Sequence, residues 1–438
     1  MLKKLILVIM ASVLFITGCQ AVKGVNLNQM VLNSSKIKSS ESKLTGSLDL
    51  TYNKANVKDK DFLKVLNILN HAKFDVQAKM KDSNTVSLTG NVTLLKGKIP
   101  FQFYMDQKEM VLLLDHATKP IRVPIDNGAA PDDKLIQDLQ TKILAPIVND
   151  LPNPPHITVT NTTEKVHYVR VPGYKVHAEI YGNEVASLLL TFLDNLSKDN
   201  TAITQIVNAV NDIMLTADEP KMTVDDFKSA LDEIKTSVQQ SLPELQKDKV
   251  LTKSSYLKTD ILVNKWFFVR KSSTTLKIAN LPDADGLTGI QLKLDNEIWN
   301  INQKVNASKI KYKTYLKEDA TPEQILSTLD KKHSVLFSVM TSYLYTPSTA
   351  LKASQVKVTN NKSKYYDKIV VNGVKKGDVI KVYSKTGTML TANQATGSTV
   401  TLYVRQLGKT SGHVYVSIFR AKHAESARVS IAFKAEKK

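Results

Sequence analysis

The feature that most constrains this chain is a period of two. Leu44, Leu48 and Leu50, with Gly46 between them, alternate with polar neighbours, and segments of the same kind follow at 73–81, 85–94, 99–105, 109–115 and 120–125. Successive side chains of a strand point to opposite faces, so this pattern specifies strands that are apolar on one side and wet on the other. The connections are short and polar. They suit antiparallel neighbours, because parallel strands need a crossover of about a dozen residues or more. The expectation over 44–125 is an antiparallel meander, interrupted by a helical insertion at 61–70.

Helical periodicity occupies other stretches. Leu27, Met30, Val31 and Ile37 mark a short amphipathic helix within 26–38. Further helices are expected at 132–148, 183–196, 201–215 and 223–242. Pro152, Pro154 and Pro155 break the pattern before a strand region at 166–180, in which Pro172-Gly173 reads as the turn. Strands resume at 256–263, 266–271, 275–278, 287–294 and 298–303. Asp295-Asn296 reads as a two-residue turn that would pair Leu292 with Trp299 and Ile290 with Ile301. Thr321-Pro322-Glu323-Gln324 supplies a cap, a proline at the first helical position and a capping-box glutamine, and it opens a helix to about Tyr343.

A polar stretch, 347–364, reads as a linker. After it, Ile380/Val382, Val400/Leu402/Val404, Val414/Val416/Ile418 and Val429/Ile431/Phe433 alternate with polar or aromatic partners between glycine-marked turns. That is the pattern of a small all-β sandwich over 365–438. The fold class expected is therefore α+β, a curved antiparallel sheet packed on helices over 19–346, followed by the sandwich.

There is one cysteine, Cys19, so an intrachain disulfide and a cysteine-based zinc site are both excluded. Lys3, Lys4 and an apolar run of twelve residues at 5–16 precede it. The run is too short for a hydrocarbon core of roughly 30 Å, and it has the length of a signal-peptide apolar region. Ile16-Thr17-Gly18-Cys19 resembles the bacterial lipobox. That resemblance implies removal of residues 1–18 and a diacylglyceryl group on the Cys19 thiol. Two acyl chains hold stably, since each buried CH₂ contributes about 0.8 kcal/mol. The expected location is the outer face of the bacterial cytoplasmic membrane, lipid-anchored.

Charge is uneven. The chain carries a net +19, of which +13 falls on 347–438. Lys375, Lys376, Lys381, Lys385, Arg405 and Lys409 are the candidates for contact with a polyanion, either an anionic wall polymer or anionic lipid. The same charge also fits a solvated surface that like-charge repulsion keeps soluble. Nucleic acid is not expected as a partner, because no RNA-binding aromatic signature accompanies the lysines.

Nothing in the sequence points to catalysis. Gly-x-Ser-x-Gly, His-Glu-x-x-His and P-loop motifs are missing. Asp283-Ala284-Asp285-Gly286 lacks the downstream glutamate of a calcium loop and reads as a turn. With a turn at Pro172-Gly173, His167 and His177 fall on opposite faces and share no metal. The chain is expected to be non-enzymatic, with no cofactor and no metal.

The order of elements over roughly 22–310 resembles the half-barrel lipoproteins of the LolA-like and LppX-like kind. An N-terminal helix ends near Lys-Ile-Lys-Ser-Ser-Glu-Ser (36–42), and a meander, central helices and further strands follow. The resemblance implies a curved sheet around helices, with an apolar cavity able to hold acyl chains. Leu189, Phe192, Leu193, Ile206 and Val210 on the central helices, with Trp266 and Trp299, are the cavity candidates. The helical positions fit plain core equally. The segment Val374–Tyr383 followed by Lys385-Thr386-Gly387 resembles small immunoglobulin-like modules at the ends of Gram-positive surface proteins. The function expected is a surface lipoprotein that binds or shuttles an amphiphile. The alternative is a structural or adhesion protein of the envelope with no ligand.

Overall fold

The alternation that starts at Leu44 becomes β1 (Ser40–Tyr52), and this strand is the hub of the molecule. The structure is a computed structural model that describes residues 21–22, 25–94, 97–125, 139–214, 221–281, 284–362 and 365–436. The expected lipobox with Cys19, Asp283, and the first part of the expected helix at 132–148 lie outside them.

In chain order, α1 (Asn28–Ser34) leads into β1, then α2 (Lys60–Leu69), β2 (Ala72–Asp82), β3 (Thr85–Leu94), β4 (Gly97–Met105), β5 (Glu109–Leu114) and β6 (Ile121–Pro124). A π-helical turn (Leu139–Leu144) runs into α3 (Ala145–Asp150), followed by β7 (His156–Val166), β8 (Val169–Tyr181), α4 (Gly182–Lys198), α5 (Asn200–Met214) and α6 (Val224–Lys247). Next come β9 (Tyr256–Asn264), β10 (Val269–Ala279), β11 (Leu287–Trp299), α7 (Pro322–Thr328) and α8 (Val335–Leu344). The C-terminal strands are β12 (Val356–Thr359), β13 (Asp367–Asn372), β14 (Val379–Tyr383), β15 (Met389–Gln394), β16 (Thr399–Val404), β17 (Gly412–Phe419) and β18 (Val429–Phe433). Contacts divide the chain into two units. One comprises Met1–Leu95, Gln102–Val111 and Val123–Ile310; the other comprises Lys96–Phe101, Leu112–Arg122 and Lys311–Lys438.

The large sheet has the order β6-β5-β4-β3-β2-β1-β11-β10-β9-β8-β7. The chain winds outward from β1 to β6, restarts at the far edge with β7, and returns to pair β11 with β1. Register aligns one apolar row across the middle. Leu48 faces Ala72 on one side and Leu292 on the other, Leu292 faces Leu276, Leu276 faces Leu257, and Leu257 faces Ile180. Over β1 and β2 the opposite face is polar and carries the pairs Lys43–Asp75 at 3.2 Å and Lys79–Glu41 at 3.7 Å, while over β7–β9 it also buries Val166, Val171 and Leu262 together. Such exposed pairs contribute about 0–1 kcal/mol each, so the apolar row and not the charges fixes the register.

The sheet curls. His167, at the turn between β7 and β8, stacks on Trp299 at the end of β11 with ring centroids 4.2 Å apart. Its backbone N–H also donates to the Glu297 carboxylate at 2.9 Å. In the sheet order β7 lies four places from β11, so these contacts require strong curvature.

Two turns expected from sequence are strands. Val166 pairs with Val169, so the reversal is at His167-Tyr168, with His167 at φ 55. Pro172-Gly173 lies inside β8. Gly173 is there because the β9 backbone approaches it: a Cβ would sit 1.9 Å from the Val263 carbonyl oxygen. Asp295-Asn296 lies inside β11, with Asp295 paired to both Thr45 and Ser273. Flanking strands on both sides override the local turn preference. The left-handed positions that reverse the chain are Asn300 and Asn302, at φ 51 and φ 56. β7 alternates only at its start, Ile157 and Val159 between polar neighbours, and that run is too short to mark the whole strand in sequence.

Helix ends follow their capping residues. Thr223 accepts from the Asp226 N–H at 3.1 Å, and Thr321 from the Gln324 N–H at 3.3 Å. The helix expected from 321 to 343 is split into α7 and α8. Ser334 caps the second one, accepting from the Phe337 N–H at 2.8 Å. The buried Asp115 carboxylate accepts from the Ser334 hydroxyl and the Leu336 N–H, which places an anion at the start of α8.

In the C-terminal unit, sheets β12-β13-β16 and β15-β14-β17-β18 enclose one core, with Ile369, Val371, Ile380, Val382, Val416 and Ile418 at its centre. The stretch 347–364, expected as a linker, supplies β12, and Leu351 and Val356 are buried in that core. The sequence there shows only a short alternation, Val356/Val358, among polar residues, which hides a strand that needs one buried side.

Candidate functional site

The apolar face of the large sheet is closed in one part and half-open in another. Over β7, β8 and β9, Val159, Val176, Ile261 and Val263 are buried together with Leu27 and Met30 at α1. Ile180 is buried with Leu151, Val185 and Leu188 beside α4. Over β11, β1, β2 and β3 the same face carries Leu44, Leu48, Leu50, Phe74, Val76, Met80, Leu88, Leu292 and Leu294, and every one of these is only half-buried. They share the face because Leu44 opposes Val76, Gly46 opposes Phe74 and Leu294, and Ala78 opposes Leu88. Gly46 makes room for an aromatic ring, since a Cβ there would lie 2.2 Å from the Phe74 ring. The result is an apolar strip along one face of the sheet, with Phe74 lying across β1. Contiguous apolar surface left within reach of solvent is the usual mark of a binding face.

The helical cavity candidates lie elsewhere. Leu193 and Ile206 are buried in the core between α4, α5 and α6, and Leu189, Phe192 and Val210 pack against it with Leu196, Ile203, Val207 and Leu231. Their apolar surface is spent on one another. Trp266 is 72% exposed at the turn between β9 and β10. The Trp299 indole N–H donates to Glu41 at 2.7 Å while its ring covers His167. The strip residues that line the open face were visible in sequence as alternation. What sequence did not show is which strands the helices cover.

The histidines are separated. His177 lies on the polar face of β8, 3.1 Å from the Asp260 carboxylate and 3.3 Å from Glu179. The Tyr181 hydroxyl and the Lys258 ammonium hold the Glu179 carboxyl below the usual carboxylate range. Among the described residues no three histidine, aspartate or glutamate side chains form a metal-holding group.

On the sandwich, Lys375, Lys376, Lys385, Arg405 and Lys409 are exposed. Lys381 is not. It is 3% exposed, hydrogen-bonds the Ser338 hydroxyl at 3.1 Å, and lies 4.6 Å from the Phe419 ring centre. As a polyanion contact it is corrected to a core position. Strand alternation gives it the face opposite Ile380 and Val382, but α8 covers that face too. Beside it is a cleft of about 300 Å³ lined by Ser338, Tyr383, Glu425 and Arg428 among others. Glu425 accepts from the Tyr383 and Ser417 hydroxyls at 2.7 and 2.6 Å, and the Arg428 guanidinium stacks 3.5 Å over the Tyr383 ring. Burial, with Glu425 next to it, pushes the Tyr383 hydroxyl well above its usual range, so it stays a neutral donor.

No described helix is long and apolar enough to cross a membrane. No family model and no curated protein matches the chain. Among solved structures, the lipoprotein LppX of Mycobacterium tuberculosis is similar at 9% identity and a TM-score of 0.24, covering 64% of this chain and 96% of that one. What the geometry establishes by itself is an α+β chain with a large, curved, open antiparallel sheet and a two-sheet β module.

Proposed function

We propose that this chain is a membrane-anchored envelope lipoprotein whose half-open strip over β11, β1, β2 and β3 binds the hydrocarbon part of an amphiphile. The observation that carries the reading is the contrast between the two parts of one apolar face, buried over β7–β9 and half-buried over β11–β3. An acyl chain laid on the strip gains about 0.8 kcal/mol per CH₂ buried, so ten methylenes supply roughly 8 kcal/mol before the costs of association. The anchor is Cys19, carrying a diacylglyceryl group on the outer face of the cytoplasmic membrane. The basic sandwich contacts anionic envelope polymer through Lys375, Lys376, Lys385, Arg405 and Lys409. Its three-plus-four strand order, with β13 to β14 and β16 to β17 crossing between sheets, supports the immunoglobulin-like reading. The role is binding and not catalysis.

The alternative, a structural or adhesion protein with no ligand, draws support from the solid packing of Leu193 and Ile206 in the helical core. Mass spectrometry of lipids that co-purify with the soluble Cys19→Ser form separates the two. A stoichiometric amphiphile supports the first, and an empty protein supports the second. Cys19→Ser itself is expected to turn tight anchoring into association that salt and alkaline washes remove; a form that stays in the washed membranes with its signal peptide removed contradicts the anchor.

A further inference from the structure

One end of the large sheet presents two aromatic side chains and a valine to solvent. Tyr168 and Val169, at the β7–β8 turn, are 79% and 63% exposed, and Trp266 at the β9–β10 turn is 72% exposed. Both turns lie at the same end, because Gly173 near the start of β8 pairs with Asn264 at the end of β9. Large apolar side chains on a turn tip lose by facing water and gain only if something covers them.

The charge at this end has one dominant sign. Lys165, Arg170 and Lys265 are exposed here. Lys165 and Arg170 face one another directly across the hairpin. Like charges in directly opposed positions repel, so nothing within the hairpin favours this pair. Lys165 also lies 5.9 Å from the Tyr168 ring centre. Aromatic rings interleaved with lysine and arginine are the composition that settles at a membrane–water interface, where the ring enters the headgroup layer and the cation meets anionic lipid.

The chain itself leads there. Val22, Val25 and Phe267 pack on one apolar cluster, and Phe267 is next to Trp266. The Asn33 side-chain amide donates to the Trp266 carbonyl at 2.8 Å. Cys19 is three residues before Val22. Three residues span at most about 11 Å, so acyl chains on Cys19 hold this cluster close to the bilayer.

We infer that Tyr168, Val169 and Trp266, with Lys165, Arg170 and Lys265, form a docking surface for the anionic bilayer. The lipid on Cys19 then acts as a tether, and the tip fixes how the body stands on the membrane. The inference rests on the anchor reading for the source of proximity, and its test is separate from that reading.

The chain has two tryptophans, Trp266 and Trp299. The full mature chain carrying Cys19→Ser is titrated with phosphatidylglycerol-rich vesicles whose acyl chains are brominated. The expected result is a blue shift and quenching of tryptophan emission, most of which disappears in Trp266→Phe, because Trp299 stays sheltered by His167 and Glu41. Tyr168→Ser with Trp266→Ser should weaken vesicle affinity by about tenfold. Lys165→Gln, Arg170→Gln and Lys265→Gln together should weaken binding to phosphatidylglycerol vesicles and leave zwitterionic vesicles unaffected. All of these positions are exposed, so the variants fold. An unquenched Trp266 overturns the inference, as does equal affinity of the double variant, or binding of isolated wall polymer with none to vesicles. The mass of the mature N-terminal peptide decides the anchor independently. A Cys19 that carries no lipid overturns the anchor reading alone, whereas quenching of Trp266 is read on a chain that never carried one.

Discussion

Two parts of one sheet face have the same alternating sequence and different fates. Over β7–β9, Val159, Val176, Ile261 and Val263 are buried beneath α1. Over β11, β1, β2 and β3, Leu48, Val76, Leu292 and their neighbours remain half-buried. The difference teaches that period two specifies a face, while what covers that face depends on where helices return in three dimensions. A buried apolar row stabilises the fold. A half-buried one leaves apolar surface within reach of solvent.

The comparison can be broken most sharply by equivalent substitutions on the two sides. Val263→Asp puts an unpaired carboxylate into a fully buried site and is expected to abolish cooperative unfolding of the large-sheet unit in urea. Val76→Asp, on the half-open side, is expected to cost about 1–2 kcal/mol and to leave a folded protein. Equal losses at the two positions would contradict the division. Truncation is the milder version. Ile261→Ala should cost about 3 kcal/mol, and Leu48→Ala about 1, with only the second changed by removing bound lipid.

A smaller effect concerns the outer face. Glu179 is held below its ordinary pKa by the Tyr181 hydroxyl and Lys258, so its folded form favours the carboxylate. A depressed carboxyl contributes stability that is complete above its unfolded pKa and is lost as pH falls through the folded one. Unfolding midpoints should therefore decline below about pH 4, and Glu179→Gln should flatten that decline. The smallest effect separates Lys381 from the two lysines that sequence placed with it. Lys375→Glu with Lys376→Glu should weaken binding to anionic wall polymer several-fold, whereas Lys381→Met should leave it unchanged, because Lys381 is inside.

These contrasts also show what sequence carries. The meander strands appear with ends within a few residues of expectation, since one face of each is apolar. The capping residues Thr223 and Thr321 mark helix starts, since their hydroxyls satisfy otherwise orphaned N–H groups. The turns at Pro172-Gly173 and Asp295-Asn296 fail because flanking strands on both sides hold those residues extended. The linker at 347–364 fails for the related reason that a short strand needs only one buried side. At the site, the helical residues Leu189 to Val210 attracted attention through their apolar density, yet density marks a packed core as readily as a cavity. The burial of Lys381 is hidden in sequence because a polar residue between apolar ones implies a wet face, and α8 covers that face.

The central claim is that the strip over β11, β1, β2 and β3 holds an amphiphile, and its most direct test is native mass spectrometry. The soluble Cys19→Ser form and the same chain carrying Val76→Asp are purified in parallel from the envelope of the producing cell. The account predicts a stoichiometric lipid-like adduct on the first and its loss from the second, with the fold retained in both. A first form that carries no adduct, or an adduct retained unchanged in Val76→Asp, would contradict it.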